Sequence, residues 1–452
     1  MRQAIARHAE LRVPRYTSYP PVPRFGPQVD AARHGDWLGR LAPDATLSLY
    51  LHVPFCRQVC WYCACNTKLA AREAPVRAYG ATLRREIGLV AARLPGRMAV
   101  GSVHWGGGTP NAMPLDVLAE LTAELRTRFA LAADAEIAFE IDPRTFTAEM
   151  APGLAALGAT RASLGVQEFD PRVQAAVNRI QPFETVRATV RRLRAAGIGS
   201  INFDLMYGLP FQTTGTLART VTQALELAPD RIALFGYAHV PWLAKRQRLL
   251  PEDALPDAAA RYEQAEQAAT LLRAAGYQPI GLDHFALPGD AMARAARTGR
   301  LRRNFQGYTV DGAAALLGLG ATAISALPQG YVQNLAETGA YARAVAAGTL
   351  PVARGYALDG EDRLRAAVIE RLMCDLTVDL AELAREHGRP ADHLAPELLR
   401  CRGFARDGLA RIDGSRLTVL EPGRPALRVV AATFDAHLAP AGAEPRRHAV
   451  AV

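Results

Sequence analysis

Apolar runs alternate with amphipathic segments from about residue 46 to residue 285. Six runs have the length and pattern of buried strands: Ser48–Val53, Ser102–Trp105, Glu136–Ile141, Arg161–Val166, Ser200–Met206 and Arg231–Tyr237. Helix-like segments lie between them: Val76–Leu94, Leu115–Phe129, Phe183–Ala196 and Leu217–Leu227. Strand-to-strand spacing of roughly 30 residues is typical of parallel βα units. Six units are too few for a closed eight-stranded barrel, so we expect an open, partial (β/α)6 barrel of the α/β class.

Two further regions flank this pattern. Residues 1–45 are rich in proline and contain the aromatic sequence PRYTSYP at residues 14–20, which favours a lid segment over a passive linker. Residues 46–355 form the expected catalytic domain. After it, residues 356–452 show two helical patterns and a hairpin that turns at Asp413-Gly414. We therefore expect a small, mostly helical C-terminal domain with winged-helix character.

Composition and charge exclude several classes of protein. No stretch of the 452 residues approaches the roughly 20 apolar residues of a membrane helix, and the arginine-dotted start lacks an apolar signal region. We expect a cytoplasmic protein with no membrane contact. The net charge of +9 comes almost wholly from arginines spread along the chain, and Lys68 and Lys245 are the only lysines. This pattern argues against a nucleic-acid interface and favours a small polyanionic substrate.

The cysteines are clustered. Four of the six fall within ten residues: Cys56, Cys60, Cys63 and Cys65. A disulfide framework would spread them, so a metal site is the better interpretation. Three thiolates in a short loop can ligate three irons of a 4Fe–4S cube and leave the fourth iron open. A structural zinc site that uses all four thiols is the alternative.

Polar residues and glycines follow the ends of other predicted strands, where active sites of parallel α/β barrels lie. Gly106–Gly108 follows the second strand, Glu140 the third, Gln167 the fourth and Asp204 the fifth. Glycines there let backbone amides approach a ligand, whereas a tight βα turn is the structural alternative. For the acids, the structural alternative to ligand binding is an ion pair at the barrel mouth. For Arg179, it is an ordinary position on the surface.

These motifs together resemble one family. The sequence YLHVPFCRQVCWYCAC at residues 50–65 resembles the signature of the oxygen-independent coproporphyrinogen III oxidases, a radical S-adenosylmethionine (SAM) family. Further matching segments are PRYTSYP at 14–20, VQEF at 166–169, VNR at 177–179, DLMYGLP at 204–210, YAHVP at 237–241, DHFA at 283–286, RNFQGYT at 303–309 and LGLGATAIS at 317–325. The resemblance covers nearly the whole chain. The chain departs from the family pattern at Gly236 and Leu287, where asparagine and arginine are expected.

The resemblance implies cofactors and their ligands. Cys56, Cys60 and Cys63 would hold a 4Fe–4S cluster, with two SAM molecules beside it. The positions that correspond to contacts of the first SAM are Tyr50, Gly107, Glu140 and Ile324. Those of the second SAM are Tyr62, Gly108, Thr109, Gln167, Arg179, Asp204 and Ala238. The catalytic set that the resemblance implies is Tyr50, His52 and Cys65.

The resemblance also implies a reaction and partners. Two propionates of coproporphyrinogen III would be decarboxylated to vinyl groups, giving protoporphyrinogen IX in haem biosynthesis. A reduced flavodoxin- or ferredoxin-type protein would donate electrons to an enzyme expected to be a monomer. Because the substrate carries four carboxylates, Arg15 and Arg303 are candidates to bind them.

Two relatives on the same fold are alternatives: a haem-binding chaperone and a radical SAM enzyme that modifies haem. Chaperones of this type generally lack the fourth cysteine and the YTSY segment. Cys65 and Tyr16–Tyr19 therefore favour the oxidase over the chaperone. The segment Asn304–Thr309 favours it over the haem-modifying enzyme.

Overall fold

One long sheet organises the protein, whose computed structural model describes residues 11–438. The strands of that part of the chain are β1 (Leu47–Val53), β2 (Phe55–Cys56), β3 (Lys68–Leu69), β4 (Ala99–Gly107), β5 (Ala130–Ile141), β6 (Arg161–Gln167), β7 (Ser200–Tyr207), β8 (Arg231–Gly236), β9 (Gln278–Ile280), β10 (His284–Ala286), β11 (Arg302–Asn304), β12 (Gly307–Thr309), β13 (Ala315–Leu319), β14 (Ile324–Leu327), β15 (Gly330–Asn334), β16 (Val352–Ala357), β17 (Thr377–Asp379), β18 (Ala410–Asp413) and β19 (Arg416–Val419). The α-helices are α1 (Ala31–Gly39), α2 (Glu73–Ala91), α3 (Leu115–Arg128), α4 (Met150–Ala156), α5 (Pro171–Ala176), α6 (Phe183–Ala195), α7 (Thr214–Glu226), α8 (Ala258–Ala274), α9 (Ala291–Arg297), α10 (Thr338–Ala346), α11 (Gly360–Asp375), α12 (Leu380–Glu386), α13 (Ala395–Arg400), α14 (Arg402–Arg406) and α15 (Leu427–Ala432).

The sheet is parallel in its middle and antiparallel at both ends. Across it the strands run in the order β16-β15-β14-β13-β1-β4-β5-β6-β7-β8-β10-β9. The six predicted strands are confirmed as β1, β4, β5, β6, β7 and β8, and each is parallel to its neighbour. Strand β13 adds a seventh parallel strand on the free side of β1. Strands β16 and β9 are the two ends of the sheet and do not pair, so the barrel is open as the sequence predicts.

The core forms because the parallel strands are apolar on both faces. Strand β1 shows this most clearly: every residue except Tyr50 is buried. Such strands need helices over them, and α2 supplies one by burying Val76, Leu83 and Ile87 on a single stripe. Because the parallel strands all point the same way, their carboxyl ends form one continuous edge of the sheet. The chemically active residues lie along that edge.

A second core belongs to the C-terminal region and includes part of the N-terminal segment. Helices α11 and α12 and the β18–β19 hairpin confirm the elements predicted there. Tyr16 and Tyr19 pack into the apolar cluster of these elements, and the Tyr16 hydroxyl donates to Asp435 Oδ2 at 3.0 Å. The N-terminal segment therefore joins the sheet domain to the C-terminal region. The domain bounds at residues 45 and 355 stay predictions, and residues 1–10 and 439–452 lie outside the described part.

The length and hydropathy of a helix decide whether it can span a membrane. Among the described residues 11–438, no helix is both long enough and apolar enough to cross a bilayer. The longest helix, α2, carries charged residues on its outer stripe, including Glu73, Arg77 and Arg84. This stripe faces water and pairs with acids of α3, as in the contact of Arg84 with Glu124 at 3.1 Å.

Candidate active site

The cysteine loop begins directly after β1, at the carboxyl edge of the sheet. Strand β2, which contains Cys56, pairs with β3, so that Ala70 N donates to Cys56 O at 3.0 Å. Between these strands the loop turns on itself, and Cys63 N donates to Cys60 O at 3.3 Å. All four thiols of the loop line one cavity of about 180 Å³. Cys65, the surplus thiol, is the exposed member of the set.

The thiols do not form a site for a single ion. Within residues 11–438, no three His, Cys, Asp or Glu side chains are arranged to hold one metal ion. In a 4Fe–4S cube each thiolate ligates a different iron, so the cluster itself separates the sulfurs. A cube would use Cys56, Cys60 and Cys63 and leave Cys65 over, whereas a structural zinc site would use all four thiols.

Two guanidinium groups face the central thiol. Arg144 Nη2 and Arg179 Nη1 lie 3.4 and 3.3 Å from Cys60 Sγ. Both also contact the buried Asp142, whose carboxylate lies 2.6 Å from Arg144 and 3.4 Å from Arg179. Although burial opposes ionisation, the charge of Arg179 and the hydrogen bonds from Arg144 hold the pKa of Asp142 below its ordinary value. The two arginines therefore place positive charge beside one of the predicted cluster ligands.

The glycine segment after β4 brings backbone close to the cysteine loop. Gly108 N donates to Val53 O, and Thr109 N donates to Phe55 O, both at 2.8 Å. A β-carbon at Gly108 would lie 2.5 Å from the carbonyl oxygen of Phe55, so no side chain fits there. Gly107 has φ +113°, which favours glycine, and its amide donates to Glu140 Oε2 at 3.1 Å. The segment therefore exposes backbone to the cavity where a larger residue would close it.

A network of rings and one carboxylate lies behind the glycines. The Tyr50 hydroxyl and His52 Nδ1 are 3.1 Å apart, and His52 Nε2 lies 3.3 Å from the carbonyl oxygen of Asn66. Tyr50 stacks on His104, which contacts Glu140 Oε1 at 2.9 Å. His52 packs against Gly107, which lines the cavity, and Tyr50 packs against the preceding Gly106. The predicted catalytic pair and the predicted ribose-binding acid therefore lie side by side.

The fourth and fifth strand ends contribute three more predicted residues. Gln167 ends β6 with φ +68°, and its buried Oε1 has no hydrogen-bond partner. Asp204 lies one strand further along, where burial and the nearby charge of Glu140 raise its pKa to about 6 despite a hydrogen bond from Asn202. Gln167, Arg179 and Asp204 all line the thiol cavity. An unpartnered buried acceptor is costly unless a ligand satisfies it.

Four predicted residues lie outside the thiol cavity: Tyr50 and His52, already described, and Ile324 and Ala238. Ile324 on β14 faces Gly318, a residue that pairs with Tyr50, and its backbone would lie 2.5 Å from a β-carbon at Gly318. Strand β13 therefore separates Ile324 from Tyr50, and Ile324 does not line the thiol cavity. Ala238 lines a second, larger cavity, and its carbonyl accepts from Gln247 Nε2 at 3.1 Å.

The second cavity has a volume of about 490 Å³ and is unusually rich in arginine. Its six lining arginines come from four distant parts of the chain: Arg15, Arg261, Arg273, Arg303, Arg424 and Arg428. Burial and the charge of Arg15 lower the pKa of Arg428 to about 10, and burial also lowers the pKa of Arg261. Arg261 Nε and Arg303 Nη1 are buried without a partner. Such a concentration of positive charge is stable only where an anion compensates it.

The two cavities adjoin along the sheet edge. Asp204 on β7 and His284 on β10 both pair with Ala233 of β8, from opposite sides. Their backbones are therefore separated by two strand spacings, or about 10 Å. Asp204 lines the thiol cavity and His284 lines the arginine cavity. A ligand in the second cavity can thus extend toward the thiols.

Sequence reasoning identified the thiol cavity well but missed several residues around it. Arg144 and Asp142 were not assigned, although Asp142 follows Glu140 closely in the same strand-end motif. Of the six arginines in the second cavity, Arg15 and Arg303 were candidates because they lie in motifs with aromatic residues. Arg261 and Arg428 carry no such local signal, since Arg261 stands on an alanine-rich helix and Arg428 on a short apolar one.

Comparison with known proteins identifies the two main regions. Residues 50–224 match the model of the radical SAM superfamily, and residues 358–425 match that of the HemN C-terminal domain. An oxygen-independent coproporphyrinogen III oxidase of Bradyrhizobium diazoefficiens is 52% identical over 433 residues, covering 96% of both chains. Another, of Paracoccus denitrificans, is 44% identical over 428 residues and covers 95% of both chains.

A solved structure extends the likeness to the fold. The coproporphyrinogen III oxidase HemN from Escherichia coli, described as a radical SAM enzyme, is 36% identical to this chain. The two superpose with a TM-score of 0.90 over 95% of this chain and 100% of the other. Sequence identity, domain content and fold agree over nearly the whole length. The chain therefore belongs to the oxygen-independent coproporphyrinogen III oxidase family of the radical SAM superfamily.

Proposed function

We propose that this protein catalyses the oxygen-independent oxidative decarboxylation of coproporphyrinogen III in haem biosynthesis. Two propionates become vinyl groups, and the product is protoporphyrinogen IX. The observation that carries the proposal is the adjacency of the thiol cavity and the arginine cavity on one sheet edge. The first fits the cofactors of a radical SAM oxidoreductase, and the second fits a substrate with four carboxylates.

The cofactors are a 4Fe–4S cluster and SAM, and the residues present fit both. Cys56, Cys60 and Cys63 would hold the cluster, while Arg144 and Arg179 keep positive charge beside Cys60. When bound and reduced, these cofactors supply a 5′-deoxyadenosyl radical that removes a hydrogen atom from the propionate β-carbon. Carbon dioxide then leaves, the vinyl double bond forms, and one electron passes to an acceptor.

The chain's own polar groups would place SAM. Glu140 is oriented by the Gly107 amide and His104, so that its oxygens can accept from ribose hydroxyls. The backbone of Gly107 and Gly108 lines the cavity and would face the methionine end of SAM. Tyr50 and Ile324 flank the same position from β1 and β14.

A second SAM is the finer part of the proposal. Gln167, Arg179 and Asp204 form a further polar set on the wall of the cavity that Glu140 also lines. The unpartnered Oε1 of Gln167 supports a ligand with hydrogen-bond donors there. Tyr62, Gly108 and Thr109 close this set on the cysteine side, and Ala238 lies at the boundary with the arginine cavity.

The substrate carboxylates would be bound by arginines, with the N-terminal segment closing over them. Arg303 Nε and Nη2 donate to the carbonyl oxygens of Tyr16 and Arg15 at 3.1 and 3.2 Å, which fixes the segment at the cavity mouth. Its third nitrogen, Nη1, is left without a partner. Arg15 reaches Gly236 O at 3.5 Å, and an asparagine at position 236 would crowd the Tyr207 hydroxyl. Closure excludes water, which would quench a radical.

Cys65 and the Tyr50–His52 pair complete the proposed catalytic set. Cys65 lines the thiol cavity but is not needed as an iron ligand, so its thiol is available to the reaction. His52 is held between Tyr50 and the Asn66 carbonyl, and burial lowers its pKa. A neutral, fixed imidazole can position Tyr50 without adding charge. The flavodoxin- or ferredoxin-type donor, the monomeric state and the cytoplasmic location stay predictions from the sequence.

The function is tested by anaerobic turnover with SAM, a chemical reductant and coproporphyrinogen III. We expect two vinyl groups and two molecules of carbon dioxide per substrate, measured by mass spectrometry after oxidation of the product. A Cys60→Ala sample prepared in parallel should give neither. Cluster-loaded protein that cleaves SAM yet leaves the substrate intact would contradict the proposal. Stoichiometric haem binding in that sample would support the chaperone alternative instead.

A further inference from the structure

An acidic side chain lies inside the arginine cavity without an arginine partner. Asp283 lines the cavity from the turn before β10. Among residues 11–438, its carboxylate makes an ion pair with the adjacent His284, at 2.7 Å, and with no arginine. Glu421, which also lines the cavity, differs because it pairs with Arg424 at 2.7 Å and with Arg273 at 3.6 Å. Asp283 is therefore not explained as the counterion of one particular guanidinium.

The structure holds Asp283 in place from two sides. Its carbonyl oxygen accepts from Leu234 N at 2.8 Å, which fixes the backbone to strand β8. Its Oδ1 lies 2.7 Å from His284 Nδ1. The His284 ring is itself fixed by edge-on contacts with Phe235 and Tyr308, with ring centres 5.6 and 5.2 Å apart. Within the described residues, no protein group donates a hydrogen bond to the second oxygen, Oδ2.

The carboxylate is ionised at every pH at which the protein would work. Burial alone would raise its pKa, but the hydrogen bond from His284 and the charges of Arg303 and Arg15 lower it to about 2. The site thus offers a fixed anion with one free acceptor oxygen. The adjacent His284 is two strand spacings from Asp204 of the thiol cavity.

The proposed substrate has a matching pattern of charge and hydrogen bonding. Coproporphyrinogen carries its four carboxylates on the periphery and four pyrrole N–H donors at the centre of the reduced macrocycle. Arginines satisfy the periphery, whereas the central N–H groups need an acceptor. The oxidised ring, coproporphyrin, has the same carboxylates but only two central N–H groups, and its other two nitrogens are acceptors. A fixed anion would attract the N–H groups at the centre of the porphyrinogen. It would be repelled by the nitrogen lone pairs at the centre of the porphyrin.

We propose that Asp283, positioned by His284, accepts hydrogen bonds from the central pyrrole N–H groups and selects the reduced porphyrinogen over the oxidised porphyrin. This inference rests on the proposed function, since it deepens how the same substrate is bound. The arginines then provide affinity, because they bind the carboxylates of either ring. Asp283 provides the discrimination between the two oxidation states.

The test compares the binding of the two rings, without reductant, so that no turnover occurs. Cluster-loaded wild-type protein, Asp283→Asn and Arg261→Gln are titrated anaerobically with coproporphyrinogen III and with coproporphyrin III. Arg261→Gln is the matched control because Arg261 lines the same cavity but makes no contact with Asp283. Iron content and SAM cleavage in the presence of reductant, measured on separate aliquots, show whether each variant is folded.

Wild-type protein should bind the porphyrinogen about tenfold to a hundredfold more tightly, the scale of charge-assisted hydrogen bonds in a buried site. Asp283→Asn should remove most of this preference. Arg261→Gln should weaken the binding of both rings alike and leave the preference unchanged. A wild-type protein that does not discriminate, or an Asp283→Asn variant that still does, would overturn the proposal. Wild-type protein that binds neither ring and forms no vinyl product would instead overturn the proposed function.

Discussion

The thiol cavity and the arginine cavity adjoin, but the chain builds them in different ways. The thiol cavity takes its cysteines from one ten-residue loop and its other polar groups from successive strand ends. The arginine cavity gathers guanidinium groups from positions as distant as Arg15 and Arg428. A cluster held by one loop is lost when any one of its ligands is removed. The positive field of several arginines weakens only in part with each arginine that is removed. The two regions should therefore respond to mutation in different ways.

The largest effect is expected at the cluster ligands. Cys56→Ala, Cys60→Ala or Cys63→Ala should each lose the cluster, because two thiolates cannot hold the cube against exchange with solvent. Iron and sulfide analysis of anaerobically prepared protein should fall from about four of each per chain to near zero. Cys401→Ala, which changes a buried thiol of the C-terminal core, is the control and should keep full iron. Full iron in any of the three ligand variants would break the assignment.

Cys65→Ser tests whether the surplus thiol belongs to the cluster or to the reaction. The three-ligand site is complete without it, so iron content and SAM binding should stay at wild-type levels. Decarboxylation should fall sharply, because a serine hydroxyl does not replace the thiol in the proposed catalytic set. Iron analysis and vinyl formation are measured on the same sample. Loss of the cluster would show that Cys65 is a ligand, and unchanged turnover would remove it from the catalytic set.

Asp204→Ala tests the boundary between the two cavities. If Asp204 holds a second SAM, bound SAM per chain should fall from two toward one while the cluster remains. The lost polar contact should cost about 1–3 kcal/mol, or roughly tenfold to a hundredfold in affinity. Asp257→Ala, which removes an exposed cap at the start of α8, is the control and should lower stability slightly without changing SAM stoichiometry. Two SAM molecules bound to Asp204→Ala with unchanged affinity would refute this role.

The smallest single effect is expected in the arginine cavity. Arg261→Gln should raise the KM for coproporphyrinogen III by roughly tenfold, because the remaining arginines still provide most of the positive field. Its kcat and its iron content should change little. Combining Arg261→Gln with Arg303→Gln should raise the KM further, since both side chains carry a buried, unpartnered nitrogen. A double variant with wild-type KM would show that substrate carboxylates bind elsewhere.

The same contrast explains what could be predicted from the sequence. The cysteine loop, Gly106–Gly108 and Glu140 were found because their chemistry is local: residue type, spacing and a preceding strand suffice. Arg144 was missed because its partner, Cys60, is far away in the chain, and no pattern links the two. Arg261 was missed for a related reason, since in an arginine-rich chain one more arginine on a helix is unremarkable until the fold turns it inward.

The fold could be predicted from the sequence to about the same extent as the site. The six strand–helix units follow from hydrophobic periodicity, and the open barrel follows from their number. Strand β13 was not predicted as the seventh parallel strand, because its sequence was interpreted only as a segment that matches the family. Its pairing with β1 depends on a contact across the whole domain, as between Tyr50 and Gly318. The role of Tyr16 and Tyr19 in the C-terminal core also depends on long-range packing.

The central claim is that a radical formed at the thiol cavity acts on a propionate held in the arginine cavity. It is tested most directly with coproporphyrinogen III that carries deuterium at the propionate β-carbons. Anaerobic turnover is followed by mass spectrometry of the 5′-deoxyadenosine and of the porphyrin product. We expect deuterium in 5′-deoxyadenosine, in step with the appearance of vinyl groups. Vinyl formation accompanied by unlabelled 5′-deoxyadenosine would contradict direct transfer between the two cavities.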